Sequence, residues 1–194
     1  IRIVTPGTLI ETNLLDESSN NYICAFFYKE KACSLCFADI STGEVHLFEY
    51  DGKDLQNQII NELSRFSPVE IIFNDGFLSL KEVSSFVKDR LKSSAQLLDD
   101  SSFSIQINKD IVLKQFNAQS FEALGIDESQ IGAKSVCALF SYISETQKAS
   151  IGRFSDIHFH KNQTAMALGL TARRNLELCE TMRNKEKKGS LIWV

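Results

Sequence analysis

The sequence predicts an α/β fold: a mixed sheet that starts as three antiparallel strands, is extended by βαβ-type crossovers, and gives way to a C-terminal helical segment. Three observations carry this reading. Short apolar runs, rich in aromatics, stand between residues 22 and 50 with tight polar turns between them, and short turns force antiparallel pairing. From Leu55 the apolar spacing becomes helical, a change of period from 2 to 3.6. Helical and strand-like pieces then alternate, as they do where crossovers add parallel strands.

The elements follow in order. Residues 1–20 read as an extended lead-in, with Thr5-Pro6-Gly7-Thr8 as a turn and Asp16 to Asn21 as a polar loop. Tyr22 to Tyr28 is a strand, Lys29-Glu30-Lys31 a charged hairpin tip, and Ala32 to Ile40 a second strand. Ser41-Thr42-Gly43 is a tight turn in which Gly43 can take a positive φ. Glu44 to Tyr50 is the third strand. Leu55, Ile59, Leu63 and Phe66 mark a helix capped by Asp51 or Asp54 and stopped by Pro68. Val69 to Phe73 is a fourth strand, closed by Asn74-Asp75-Gly76. Ser79 and Glu82 have the spacing of a capping box for a helix carrying Val83, Phe86, Val87 and Leu91. Ala95 to Leu98 is a short fifth strand. This order is that of ribonuclease-H-like domains.

Beyond Asp99 the pattern is mainly helical. Helices are expected over Asn108 to Asn117, briefly over Ser120 to Leu124, and from about Glu128 to Gln147 after Asp127 and Gln130. A boundary falls near Ser150 to Phe154, and Ile157-His158-Phe159 is strand-like. Thr171 is placed to cap a last helix running to about Asn184, with Leu176, Cys179 and Met182 on its apolar face. The chain opens on Ile1 and closes on the apolar run Leu191-Ile192-Trp193-Val194, which predicts a piece of a longer protein.

Composition narrows the function. The chain has 194 residues, 43% hydrophobic and 24% charged, with 2 prolines and 9 glycines, as expected of an ordinary globular protein. The formal net charge of −4 and a pI near 5.5 disfavour a dedicated nucleic-acid binder, whose affinity comes largely from phosphate contacts. No stretch approaches the roughly 18–20 apolar residues of a membrane span, so no membrane partner is expected. Cys24, Cys33, Cys36, Cys137 and Cys179 are an odd set in apolar surroundings, read as free buried thiols of a reducing compartment.

Four patterns could carry chemistry. Asp39, Asp75 and Asp99 raise the question of a two-metal nuclease, which needs carboxylates converging on its cations. The first strand holds no acid, however, and Asp39 is better placed to organise the Ser41-Thr42-Gly43 turn. Cys33-Ser-Leu-Cys36 has redox or zinc spacing, but on a strand residues three apart face opposite sides. His158 and His160 share a strand face and are a possible metal pair; exposed side chains are the simpler account, since no third ligand is apparent. Arg173, Arg174, Arg183, Lys185, Lys187 and Lys188 are interleaved with Glu177, Glu180 and Glu186; the lysines read as a solvated helix face, and Arg173 and Arg174 as interdomain contacts.

Several segments, in order, resemble the MutS DNA mismatch-repair family. They are Arg2-Ile-Val-Thr-Pro-Gly-Thr8, Ala38-Asp-Ile-Ser-Thr-Gly-Glu44, Pro68-Val-Glu-Ile71 and Leu139-Phe-Ser-Tyr142 leading to Thr146-Gln147. Leu170-Thr-Ala-Arg-Arg-Asn-Leu-Glu-Leu178 and Lys188-Gly-Ser-Leu191 complete the set. The resemblance implies a lead-in over 1–20 from a mismatch-reading domain, a connector domain of ribonuclease-H-like fold over 21–154, and the start of a core or lever domain over 155–194. It implies structural or interdomain roles for Arg2, Thr5, Pro6, Gly7, Asp39, Gly43, Arg173, Arg174, Asn175 and Glu177. Lys109, Asp110 and Lys114, on the outward side of their helix, are the candidate partner surface. The expected partners are a MutL-type protein, the other MutS domains, a second MutS subunit and, through the whole protein, mismatched DNA. Cofactors are expected to be none here: ATP and Mg belong to an ATPase domain, and no Gly-x-x-x-x-Gly-Lys-Ser/Thr occurs in this sequence. The implied role is non-catalytic coupling in the bacterial cytoplasm, at the nucleoid. The alternatives are a metal-dependent nuclease or resolvase of the same fold, and a MutS-like protein of recombination.

Overall fold

The computed structural model describes residues 5–8, 21–146, 154, 156–160, 175–177 and 190–191. The first strands are β1 (Tyr22–Lys29), β2 (Ala32–Asp39) and β3 (Glu44–Asp51), followed by α1 (Leu55–Phe66) and β4 (Glu70–Phe73). Next come α2 (Lys81–Phe86), β5 (Ser94–Leu97), α3 (Ile105–Phe116), α4 (Gly132–Thr146) and β6 (His158–His160). The sheet order is β5-β4-β1-β2-β3-β6. β1, β2 and β3 form an antiparallel meander, β4 joins β1 in parallel, β5 joins β4, and β6 joins β3. The expected mixed sheet with crossovers is therefore the observed one.

Alternation along the strands builds two cores. Ile23, Ala25 and Phe27 of β1 face one side with Cys36, Ala38, Leu47 and Ile72, under α3 and α4. Tyr22, Cys24 and Phe26 face the other with Leu35, Phe37, Phe48 and Ile71, under α1 and α2. A sheet covered on both faces requires strands that are apolar throughout, and β1 and β2 are buried along nearly their whole length. Leu55, Ile59, Leu63 and Phe66 are the buried stripe of α1. Fully burying each large side chain contributes about 1.5–3 kcal/mol, so this stripe holds α1 on the sheet.

Local details differ from the sequence reading in instructive ways. Asp54 sits at the N-cap of α1, but its carboxylate accepts from the Asn57 side-chain amide (2.6 Å) and not from a backbone N–H. No capping box forms at α2: Ser79 Oγ donates to Gly76 O within a 3-10 turn (Asp75–Ser79), and Leu80 takes the cap position. After α2 the chain passes into a wider π-type turn, Val87–Leu91, ending on Lys92 with φ 56°. α3 begins earlier than expected, because Asn108 is buried inside it and its amide holds the carbonyls of Ser101, Ser102 and Ser104. α4 begins later: Asp127 ties Ser129 N and Oγ into a turn, and Glu49 Oε1 accepts from Gly132 N (2.7 Å) at the helix start. A carboxylate there also meets the positive end of the helix dipole.

β6 lies beyond the boundary placed near Phe154, and it pairs with β3, His46 opposite His158 and Phe48 opposite His160. The first compact unit accordingly runs through Asn162 and the second through Gln163–Val194. In the second unit, Leu191 N donates to Glu177 O (2.9 Å), and Glu177 takes φ 47° in a turn after Asn175. That left-handed residue interrupts the helix expected through Asn184. Leu176 and Leu191, expected to seek burial, are more than half exposed. Cys179, Met182 and the basic residues from Arg183 to Lys188 lie outside the described residues.

Candidate functional site

Two buried carboxylates stand where the lead-in meets the sheet. Glu70, the first residue of β4, is 2% exposed, and Asp39, the last of β2, is 0% exposed. A buried carboxylate is tolerated only when its oxygens are hydrogen-bonded, and both residues meet that condition fully.

Glu70 Oε2 accepts from Gly7 N (2.9 Å), and Glu70 Oε1 accepts from Tyr142 Oη (2.5 Å). Thr5 hydrogen-bonds the same phenol, and burial, with Glu70 beside it, pushes Tyr142 up to about 12. Tyr142 is therefore a phenol that donates at any physiological pH. Gly7 is buried against Ile23 of β1, so a Cβ there would collide with Ile23 Cγ1 and crowd Glu70 Oε2. The lead-in turn Pro6–Thr8 is thus held by one carboxylate whose other oxygen is held by α4.

Asp39 closes the neighbouring corner. Its Oδ1 accepts from Ser41 N (2.8 Å) and Ser41 Oγ (2.6 Å), and its Oδ2 accepts from Asn21 N (2.9 Å). Gly43 N donates to the Asp39 carbonyl (2.9 Å), and Gly43 takes φ 78°. Asn21 Nδ2 donates in turn to Pro6 O (3.1 Å), which joins the two corners into one network. Tyr22 Oη donates to Glu44 Oε2 (2.7 Å) across the same edge.

Residues 21–155 match the family model described as MutS domain II. The chain belongs to the MutS family. Over its full length it is 32% identical to the DNA mismatch repair protein MutS of Alkaliphilus oremlandii and 32% identical to that of Ruminiclostridium cellulolyticum, covering 22% of each. It is 31% identical to that of Lachnoclostridium phytofermentans and covers 20% of it. The chain thus spans about a fifth of the length of these relatives.

In the first unit, four of the six segments that carried the resemblance converge in space. Thr5 to Thr8, Glu70 of Pro68–Ile71 and Tyr142 of Leu139–Tyr142 meet at one carboxylate, and Ala38–Glu44 supplies the other. Of the residues singled out in the sequence, Thr5, Pro6, Gly7, Asp39 and Gly43 come together here, while Asn175 and Glu177 are in the second unit. Arg2, Arg173 and Arg174 lie outside the described residues. Glu70, Tyr142 and Asn21 were missed as individuals, although the first two stood inside motif segments. A lone acid opening an otherwise apolar strand, Val-Glu-Ile-Ile-Phe, was the signal for Glu70.

The remaining candidates resolve differently. Cys33 lies in one core and Cys36 in the other, on opposite faces of the sheet, so no dithiol forms. Burial pushes the Cys24, Cys33, Cys36 and Cys137 thiols up. Lys109 does not face outward freely: it pairs with Glu128 and lies 5.7 Å from the Phe121 ring centroid. Asp110 and Lys114 are exposed on α3. His160 is half-buried rather than exposed, and His46 adds a third imidazole beside it. Among the described residues, no group of three His, Cys, Asp or Glu side chains is arranged to hold a metal ion, and no helix is long and apolar enough to cross a membrane.

Proposed function

We propose that this chain is the connector of a MutS mismatch-repair ATPase, a non-catalytic body that couples mismatch reading to the nucleotide-dependent domains. The observation that carries this reading is the Gly7–Glu70–Tyr142 bridge, which fastens the incoming chain to the sheet and to α4 at once. A rigid body transmits a displacement only if its inlet is fixed to its core, and a buried three-segment carboxylate bridge supplies that fixation. The whole protein would act on mismatched DNA in the bacterial cytoplasm, with ATP and Mg bound elsewhere in the protein. With a formal net charge of −4, the connector itself would contribute little to gripping phosphate.

Supporting a non-catalytic role, the carboxylate oxygens of Asp39 and Glu70 are already taken by protein donors. A nuclease would need such oxygens for its cations. Incubation with branched and duplex DNA in Mg²⁺ or Mn²⁺ is expected to give no cleavage; cleavage lost in Asp39→Asn would overturn this part of the reading. For a MutL-type partner we place the docking surface on the exposed side of α3 at Asp110 and Lys114, with Lys109 withdrawn into its pair with Glu128.

The deciding experiment uses the full-length protein. Tyr142→Phe and Gly7→Ala are expected to leave mismatch binding and basal ATP hydrolysis near wild type while reducing the response of hydrolysis to mismatched DNA. An undiminished response in both variants would remove the coupling role. Pull-down of a MutL-type protein by Lys114→Glu and Asp110→Lys, equal to wild type, would remove α3 as its dock.

A further inference from the structure

All three histidines of the chain, His46, His158 and His160, gather at the β3–β6 edge of the sheet. His46 Nδ1 and His160 Nε2 are 3.1 Å apart. The His46 ring lies 5.2 Å from that of His158 and 5.4 Å from that of His160. His160 stacks on Phe48 at 4.4 Å with an interplanar angle of 5°, and His46 leans on Phe66 of α1 at 5.0 Å. β6 is only three residues long. Its backbone ladder is correspondingly small, and these ring contacts add to the packing of Phe159 and the adjoining Ile157 against the core.

The geometry permits one proton between the paired nitrogens. One imidazole donates and the other accepts, and this holds while at most one ring is charged; once both have become imidazolium, every ring nitrogen carries a proton and two N–H groups face each other on like charges. We propose that β6 is a proton-released strap: uptake of a second proton by the His46–His160 pair breaks its hold on β3 and frees the segment that leads into the second unit.

The surroundings favour release over accommodation. From α1, Arg65 adds positive charge toward both rings, while Glu62 is engaged with Arg65 (3.6 Å) and with Tyr50 Oη (3.2 Å). On β3, Glu44 favours a charged His46, and among the described residues it is taken by Tyr22 Oη of β1. β2 offers only Phe37 opposite His46. From β6 itself, His158 opposes a charge on either partner. Burial, then His160 and His158, hold His46 down to about 4, and burial also holds His160 below its ordinary value.

The sign follows from linkage. These groups bind protons less readily in the closed state than when free, so the closed state is fully favoured above the ordinary histidine value near 6.5. That advantage is lost as pH falls toward about 4. At pH 5.5 a free imidazole is mostly protonated and the closed His46 is not, which corresponds to about a tenfold shift toward opening for this residue relative to pH 7.5.

The test is hydrogen exchange of the intact chain at pH 7.5 and 5.5, corrected for the intrinsic rate. The amides of His158 to His160 are compared with those of β1 in the same sample. A rise of about tenfold or more confined to β6 is expected at pH 5.5. His46→Phe keeps an aromatic ring against Phe66 and removes the titrating nitrogen, so it should abolish most of that rise. Should His46→Phe fail to fold, His160→Gln serves the same purpose from the other strand. A pH-independent β6 in the wild type, or an equal rise in the folded variant, would overturn the proposal. Release of β6 at neutral pH in His160→Gln, with no further pH effect, would support it.

Discussion

Tyr142 Oη stands 2.5 Å from Glu70 Oε1, joining the C-terminal half of α4 to the first residue of β4 across 72 positions of sequence. The bond matters because Glu70 is buried and acts through both oxygens. Tyr142→Phe would leave Oε1 without its donor and remove no packing volume. A buried acceptor deprived of its partner costs about 1–3 kcal/mol, more when it is charged. The denaturant midpoint of Tyr142→Phe is expected to fall accordingly at unchanged m-value, and an unchanged midpoint would show that water replaces the phenol.

The sheet was legible in the sequence because both faces are buried and the strand pattern is dense: β1 through β4 fall within a residue or so of their expected limits. Boundaries set by side-chain traps were not. Asn108 draws three carbonyls to itself and lengthens α3 backward, and Asp127 spends its carboxylate on Ser129 and delays α4. Of the candidate site, the lead-in turn and Asp39 were visible as motif residues. Their partners Glu70 and Tyr142 were not, since nothing in a linear sequence says that an acid on β4 and a phenol on α4 share one corner. The His46–His160 pair was hidden for the same reason: it depends on which strand β6 chooses as its neighbour.

Asp39→Ala is expected to destabilise by about 1–3 kcal/mol, since Ser41 N and Asn21 N lose a buried acceptor together. Asp39→Asn should cost less, because the amide keeps one accepting oxygen for Ser41 or Asn21. Equilibrium urea unfolding separates the two variants. Equal midpoints for alanine, asparagine and wild type would mean that the turn is held by Gly43 N and the Asp39 carbonyl alone.

Thiol chemistry provides an independent check on the two cores. Cys24, Cys33, Cys36 and Cys137 are buried and their thiols are held up by burial, so little reactive thiolate exists at neutral pH. These four should stay unlabelled by a disulfide reagent in the native protein and react fully after denaturation. Peptide mapping after mild oxidation should find no Cys33–Cys36 disulfide, because the two side chains lie in different cores. Such a disulfide in folded protein would contradict the strand register of β2.

Gly7→Ala tests whether the lead-in is fastened or merely adjacent. An added methyl meets Ile23 Cγ1 and Glu70 Oε2. Overpacking of this kind usually costs about 1–3 kcal/mol. Here the chain has an escape, because Pro6–Thr8 is a short turn that can lift off without unfolding β1. The variant should therefore lose protection at the Gly7 amide, which donates to Glu70 in the wild type, while the β1 amides exchange as before. Glu70 then loses one donor but keeps Tyr142, so the global midpoint should move less than in Tyr142→Phe. If the Gly7 amide stayed protected, Ile23 would have yielded instead and the lead-in would be fixed by more than this one carboxylate. If the β1 amides lost protection together with Gly7, the turn would be part of the cooperative core and no separable inlet would exist.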